Sequence, residues 1–312
     1  MKVILKLQDY FAFYNRSKKI KERGIEMENA RSYAREKRNK KDRCNICGKV
    51  SDLTWDHVPP KFCFNDKRTQ YNSIFEISQQ KQYIHIAQNG IKYRTICAEC
   101  NNNLLGSNYD KEYKKLVDLL YKLYITPGNI PQYLEIQNLK VNKIARAIVG
   151  HFLAARNKYF DGQLENELRK YFLNDKLKPP KELKLLYYVY IYNTIMIIRD
   201  VVPKKFGSVE YSIPEGFISC MNSFPLAFIL GENCENNPGL YDLFEICTEN
   251  IEENLNIKID LLSYMYPNRK ELRNPYWPCN IADGETGTSM MLVGDSSNSS
   301  IFSQRRDIYA KK

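Results

Sequence analysis

Two Cys-x-x-Cys pairs, Cys44-Asn45-Ile46-Cys47 and Cys97-Ala98-Glu99-Cys100, stand far apart in the chain. Four thiolates so paired close one tetrahedral zinc site. Such a site ties two distant knuckles together before any hydrophobic core is considered. The chain carries nine cysteines in 312 residues. That usage is not the disulfide framework of a small secreted protein, and paired spacing of this kind reads as metal binding in a reducing, cytoplasmic setting. The other five, Cys63, Cys220, Cys234, Cys247 and Cys279, are scattered and read as small core hydrophobes.

Between the pairs lies Trp55-Asp56-His57-Val58-Pro59-Pro60, and Asn101 follows Cys100 directly. Four thiols suffice for zinc, so Asp56, His57 and Asn101 are left over for chemistry. A carboxylate and an amide oxygen suit a hard cation such as Mg²⁺ or Mn²⁺. An imidazole suits proton transfer near neutral pH. Asp110 is either a third ligand to that cation or the N-cap of a helix beginning at Lys111. Lys61 and Arg94 are candidate phosphate contacts. His85 and His151 read as structural, the second on an apolar helix face. Trp55 reads as packing beneath the zinc knuckle, and the Tyr-rich run 187–192 reads as a half-buried sheet.

The net charge is +11 and the pI about 9.0, which favours a polyanionic partner. No run of about 18 apolar residues occurs, so no transmembrane helix and no membrane partner are expected. Residues 17–43 hold eleven Lys and Arg against five acids. Good helix formers from Glu26 to Arg43 predict a basic helix there. Leu53–Trp55 reads as a short strand ending at Asp56-His57. The runs around Asn89-Gly90 predict a hairpin with a type I′ turn. A helix is expected from Cys100 to about Leu105, broken by Gly106-Ser107-Asn108. Further helices are expected over 113–124, 143–158 and 162–173, followed by strands rich in Tyr, Val and Ile.

The whole is an α+β fold: a basic helical leader (1–43), a zinc module (44–116), a second α+β accessory domain (117–272), and a mostly flexible polar tail (273–312). The accessory domain reads as a specificity, dimerisation or regulatory unit.

At Asp56-His57-Val58-Pro59-Pro60 and Cys97-Ala98-Glu99-Cys100-Asn101, the chain resembles the HNH endonucleases, in their zinc-stapled ββα-metal (treble-clef) branch. The resemblance covers roughly residues 40–115. It implies that His57 is the general base and that Asp56 and Asn101 bind a catalytic Mg²⁺ or Mn²⁺. The place usually taken by that family's middle Asn, which buttresses the base, is Lys92 here, with Asn89 nearby. The long span from Cys47 to Cys97 implies an insertion over about 61–90.

The expected function is metal-dependent hydrolysis of phosphodiester bonds. DNA is favoured over RNA, in a setting such as antiphage defence or restriction. Two other readings stand beside it: a non-catalytic zinc module that binds nucleic acid, and an RNase toxin using the same site. A double-strand cut needs two sites, so a homodimer or a companion regulatory protein is an expected partner.

Overall fold

The computed structural model describes residues 38–67, 69–73, 85–156, 158–192, 194–205, 218–232, 239–266, 271–273, 277–278, 288–292 and 301–304. Among these residues it is a mixed α+β architecture with three sheets. The basic leader before Arg38 lies outside the described residues, and so does the strand expected at 209–213. The end of the leader is not helical: Lys41–Arg43 is a short strand, β1, paired antiparallel with Val50–Asp52. Among the described residues, no helix is long and apolar enough to cross a membrane.

The four-cysteine module is built on a three-stranded sheet of β1, β2 (Val50–His57) and β5 (Lys92–Cys97), in that order. The β2 and β5 strands run antiparallel, with Trp55 opposite Arg94 and His57 opposite Lys92. After Cys97 the chain enters a π-helical segment, Glu99–Tyr109, that passes directly into α1 (Asp110–Ile125). Gly106-Ser107-Asn108 therefore does not break the helix. The wider winding puts Leu105 and Tyr109 in the core, and their burial outweighs the weak helix propensity of those three residues.

The expected hairpin at Asn89-Gly90 is also corrected. The strand before it, β4 (His85–Ala87), pairs with β3 (Thr69–Ser73), not with β5. The two runs flanking the turn thus join different sheets. Gly90 has φ +77, and a Cβ there would lie 2.0 Å from the Asn65 carbonyl oxygen. Only glycine fits that close approach.

β3 and β4 extend a nine-stranded antiparallel sheet, in the order β11 (Tyr241–Asp242), β7 (Leu183–Val189), β10 (Leu226–Glu232), β9 (Ile218–Ser223), β8 (Thr194–Lys205), β14 (Ile301–Gln304), β3, β4. Here β13 (Thr288–Leu292) also pairs with β8. Two pieces of the span read as a flexible tail are thus strands with ladder partners. The apolar island Met290-Met291-Leu292 pairs with Val201–Pro203.

Alternate residues of the central strands enter two different cores. Leu185, Tyr187 and Val189 face one, while Leu186, Tyr188 and Tyr190 face the other. Successive side chains leave a strand on opposite faces. A sheet covered on both sides therefore reads as one continuous apolar run, which is why these tyrosines are buried and not half-exposed.

The first core runs without interruption from Cys44 and Ile96 of the four-cysteine module, through α2 (Val141–Ala154) and α3 (Gln163–Leu173), to β7 and β10. A separate pair, β6 (Tyr133–Leu139) with β12 (Leu255–Asp260), closes its far side. Gly150 of α2 permits a close approach, since a Cβ there would lie 2.5 Å from the Phe172 ring and 2.6 Å from Leu105.

Candidate metal and catalytic site

The four expected cysteines converge. The sulfurs of Cys44, Cys47, Cys97 and Cys100 all lie within 4.8 Å of one another. A tetrahedral zinc with Zn–S bonds of about 2.3 Å spaces its sulfurs about 3.8 Å apart, and Cys47 Sγ lies 3.8 Å from Cys97 Sγ. The donor set and its spacing fit a structural metal such as zinc.

The thiols also perturb one another as an uncompensated group must. A hydrogen bond from Cys100 is the main cause that lowers Cys44 to about 5, and burial pushes Cys47 up to about 11. The neighbouring Cys44 drives Cys100 strongly upward. One thiolate is accommodated at the expense of the others, and a divalent cation relieves that repulsion. Cys63 stays outside the cluster, donating to the Tyr113 hydroxyl at 3.3 Å.

The first knuckle is bolted to the accessory helices. The Asn45 side-chain amide donates to the carbonyls of Leu153 (3.1 Å) and Arg156 (2.7 Å). Arg169 Nε donates to the Asn45 carbonyl at 2.7 Å, and Thr95 Oγ1 donates to the Ala154 carbonyl at 2.6 Å. Arg38 holds the entering chain through Asp42 and Asn45. At least this one leader cation is structural.

His57 ends β2, and its Nε2 lies 3.0 Å from the Asn89 carbonyl oxygen. A carbonyl only accepts, so Nε2 carries the proton and Nδ1 is the basic nitrogen. The main chain of Asn89 thus orients the His57 ring. The loop presenting it is held by buried Asn65. The Asn65 amide donates to the Pro59 (2.6 Å) and Ile91 (2.9 Å) carbonyls, and its oxygen accepts from Ile91 N at 2.7 Å. Burial, then Lys92 and Lys61, lower the His57 pKa against the opposing pull of the Asn89 contact and Asp56. The neutral imidazole is the favoured form at neutral pH.

Asp56 points to the other face of β2 and is buried. One of its oxygens lies 3.2 Å from His151 Nδ1, and an oxygen of Asp110 lies 3.0 Å from His151 Nε2. His151, on α2, is fully buried. Burial alone would depress its pKa, but the two carboxylates outweigh it and raise the pKa to about 10. The ring is therefore an imidazolium that donates to both.

Asp110 is not an N-cap, because the helix is continuous through it and no side-chain cap bond forms there. Asn101 crosses to the strand at the bulge between Thr54 and Trp55. Its amide nitrogen donates to Thr54 Oγ1 (2.9 Å) and to the Trp55 carbonyl (3.1 Å), the peptide group that leads into Asp56. His151 thus links Asp56 to Asp110, and Asn101 binds the backbone that leads into Asp56.

His151 is the buried, hydrogen-bonded residue expected on an apolar helix face, but no short-range signal ties it to its partners Asp56 and Asp110. One feature of this site differs from the sequence expectation. Trp55 does not pack beneath the knuckle. It is 52% exposed, with the Arg94 guanidinium 5.4 Å from its ring.

No family model matches the chain, and no curated protein or solved structure matches it.

Proposed function

We propose that the protein is a metal-dependent phosphodiesterase of the HNH type, acting on nucleic acid with DNA as the favoured substrate. The observation that carries this reading is the pairing of two unlike groups at the end of one strand. His57 is neutral, oriented by a backbone carbonyl and half-buried. Asp56, one residue earlier, turns to the opposite face, where His151 joins it to the Asp110 carboxylate and Asn101 binds the adjoining backbone.

In this reading His57 Nδ1 takes a proton from the attacking water, while Nε2–H keeps the ring fixed on Asn89. Asp56 and Asn101, with Asp110, would hold Mg²⁺ or Mn²⁺, which when bound offsets phosphate charge and stabilises the leaving oxygen. His151 holds Asp56 and Asp110 in place from behind. Lys61 and Lys92 supply positive charge beside the base, where the strand's phosphates would lie. The four-cysteine site fixes β5 and the helix that follows it against β2, so its role is positional.

The test is to incubate the purified protein with supercoiled plasmid, linear duplex and structured RNA, with added Mg²⁺ or Mn²⁺ and without. His57→Ala and Asp56→Asn are run beside it. Cutting that needs the added metal and is lost in both variants, with zinc content unchanged and both variants folded at the assay temperature, supports the reading and names the polymer. Cutting by His57→Ala at the wild-type rate overturns the base assignment. Salt-sensitive binding with no cutting of any substrate turns the site into a non-catalytic zinc-bearing nucleic-acid module.

A further inference from the structure

Trp55 is a large aromatic side chain left half-exposed beside the most reactive group of the site. Burying an indole favours folding, and here much of that burial is forgone. The alternation of β2 puts Trp55 on the same face as His57, two residues and roughly 7 Å away, and opposite the face that carries Asp56. On the neighbouring strand, Arg94 and Lys92 lie directly across from Trp55 and His57.

Both ends of Trp55 are held. Asn101 donates to its carbonyl. Arg94, whose guanidinium lies against the ring, is anchored by a donation to the Arg38 carbonyl. The ring is thus a fixed, solvent-facing plate backed by a cation. Lys92 and Lys61, the cations that depress the His57 pKa, lie near the same face.

From this we infer that Trp55, backed by Arg94, is a stacking platform for an unpaired nucleobase next to the phosphate that His57 serves. The inference rests on the nuclease reading for the word "serves", but the platform itself is a binding feature. An aromatic plate beside basic side chains takes bases of any sequence, because every base has a π-face. A base within a duplex is already stacked on its neighbours. The platform therefore selects strands whose base is free at the cut site: single strands, bulges, frayed ends or a base turned out of the helix. An apolar protein partner would not need the surrounding positive charge.

The chain's two tryptophans make the test direct, since Trp277 is buried and Trp55 is the accessible one. With no added divalent cation, the affinities of a dye-labelled short single-stranded oligothymidylate, of the same strand made abasic and of a blunt duplex are measured by fluorescence anisotropy, and the unlabelled strands are titrated against the intrinsic fluorescence of the wild type. Wild type, Trp55→Phe and Trp55→Ala are compared, with zinc content and circular dichroism as folding controls. The expected result is quenching by the base-bearing strand alone. Trp55→Ala should bind that strand about ten-fold more weakly or worse, and Trp55→Phe should retain most of the affinity. The abasic strand should bind all three proteins alike through its phosphates.

Equal affinity for abasic and base-bearing strands, unchanged binding by Trp55→Ala, or no binding of any strand would each overturn the platform. Because no cleavage is required, failure here is separate from failure of the His57 assay: a protein that cuts but does not quench is a nuclease without this platform.

Discussion

His151 touches both Asp56 and Asp110 from α2, and its ring is fully buried. Removing it strips the cation from two poorly solvated carboxylates. Breaking a buried charge cluster by deleting one partner costs about 3–5 kcal/mol, so His151→Ala should lower the urea midpoint markedly. His151→Gln is the more informative variant, since an amide nitrogen can still donate to one carboxylate. If His151 is a positioning residue for a cation on Asp56 and Asp110, His151→Gln should bind Mn²⁺ about 10–100-fold more weakly by calorimetry, with zinc content unchanged. Unaltered Mn²⁺ affinity would make His151 purely structural. The dipeptide Asp56-His57 and Asn101 were legible in the sequence because thiol spacing accounted for the cysteines and left these three over. His151 was not legible, because its partners come from β2 and the start of α1, and only tertiary packing brings them to one ring.

At the scale of elements, the site hangs on two devices, the cysteine knuckles and the loop from Asn89 to Ile91. The knuckles were legible from spacing alone. Cys44→Ser should lose the bound metal by elemental analysis and unfold the module, since structural zinc contributes folding free energy outright. A folded, metal-free variant would contradict the tetrathiolate site. The loop was not legible, because Asn89-Gly90 between apolar runs is the ordinary hairpin signal. Here the runs separate into two sheets, since Asn65 takes the backbone groups of Ile91 that a hairpin partner would otherwise take. Gly90→Ala meets both a left-handed φ and the Asn65 carbonyl. The strain and displacement should cost about 1–3 kcal/mol and move the Asn89 carbonyl off His57. The expected outcome is a fall in cleavage rate larger than the loss of stability explains, measured at a temperature where the variant remains folded. A variant that loses only stability would show that the Asn89 contact does not orient the base. The continuation of the helical segment past Leu105 escaped the sequence for a related reason. Gly106-Ser107-Asn108 is a breaker by local propensity, and the burial of Leu105 and Tyr109 overrides it.

Across the whole molecule, helices and the large sheet meet at a buried ion cluster that local pattern could not reveal. Glu165 of α3 receives Arg156 Nε at 3.0 Å and pairs with Arg199 of β8. Arg199 Nε also donates to Ser219 of β9 at 3.2 Å. Apolar alternation made the strands legible, but it placed a charged residue, Arg199, in a core without supplying the partner that makes its burial tolerable. That partner lies on a helix 34 residues away in sequence. Burial alone would raise the Glu165 pKa, but Arg199 and Arg156 overcome it, so the folded value lies below the ordinary one. The sign follows from linkage. A carboxylate with a depressed folded pKa contributes stability that is fully present above its unfolded value of about 4.3 and is lost as pH falls through the folded value. Urea midpoints measured from about pH 6 to pH 3 should therefore fall steeply at the acid end. In Glu165→Gln the midpoint should already be lower at pH 6, because Arg199 keeps its charge without the carboxylate, and the acid decline should be shallower. Parallel curves for the two proteins would mean that the helix-to-sheet junction is held by apolar contact alone.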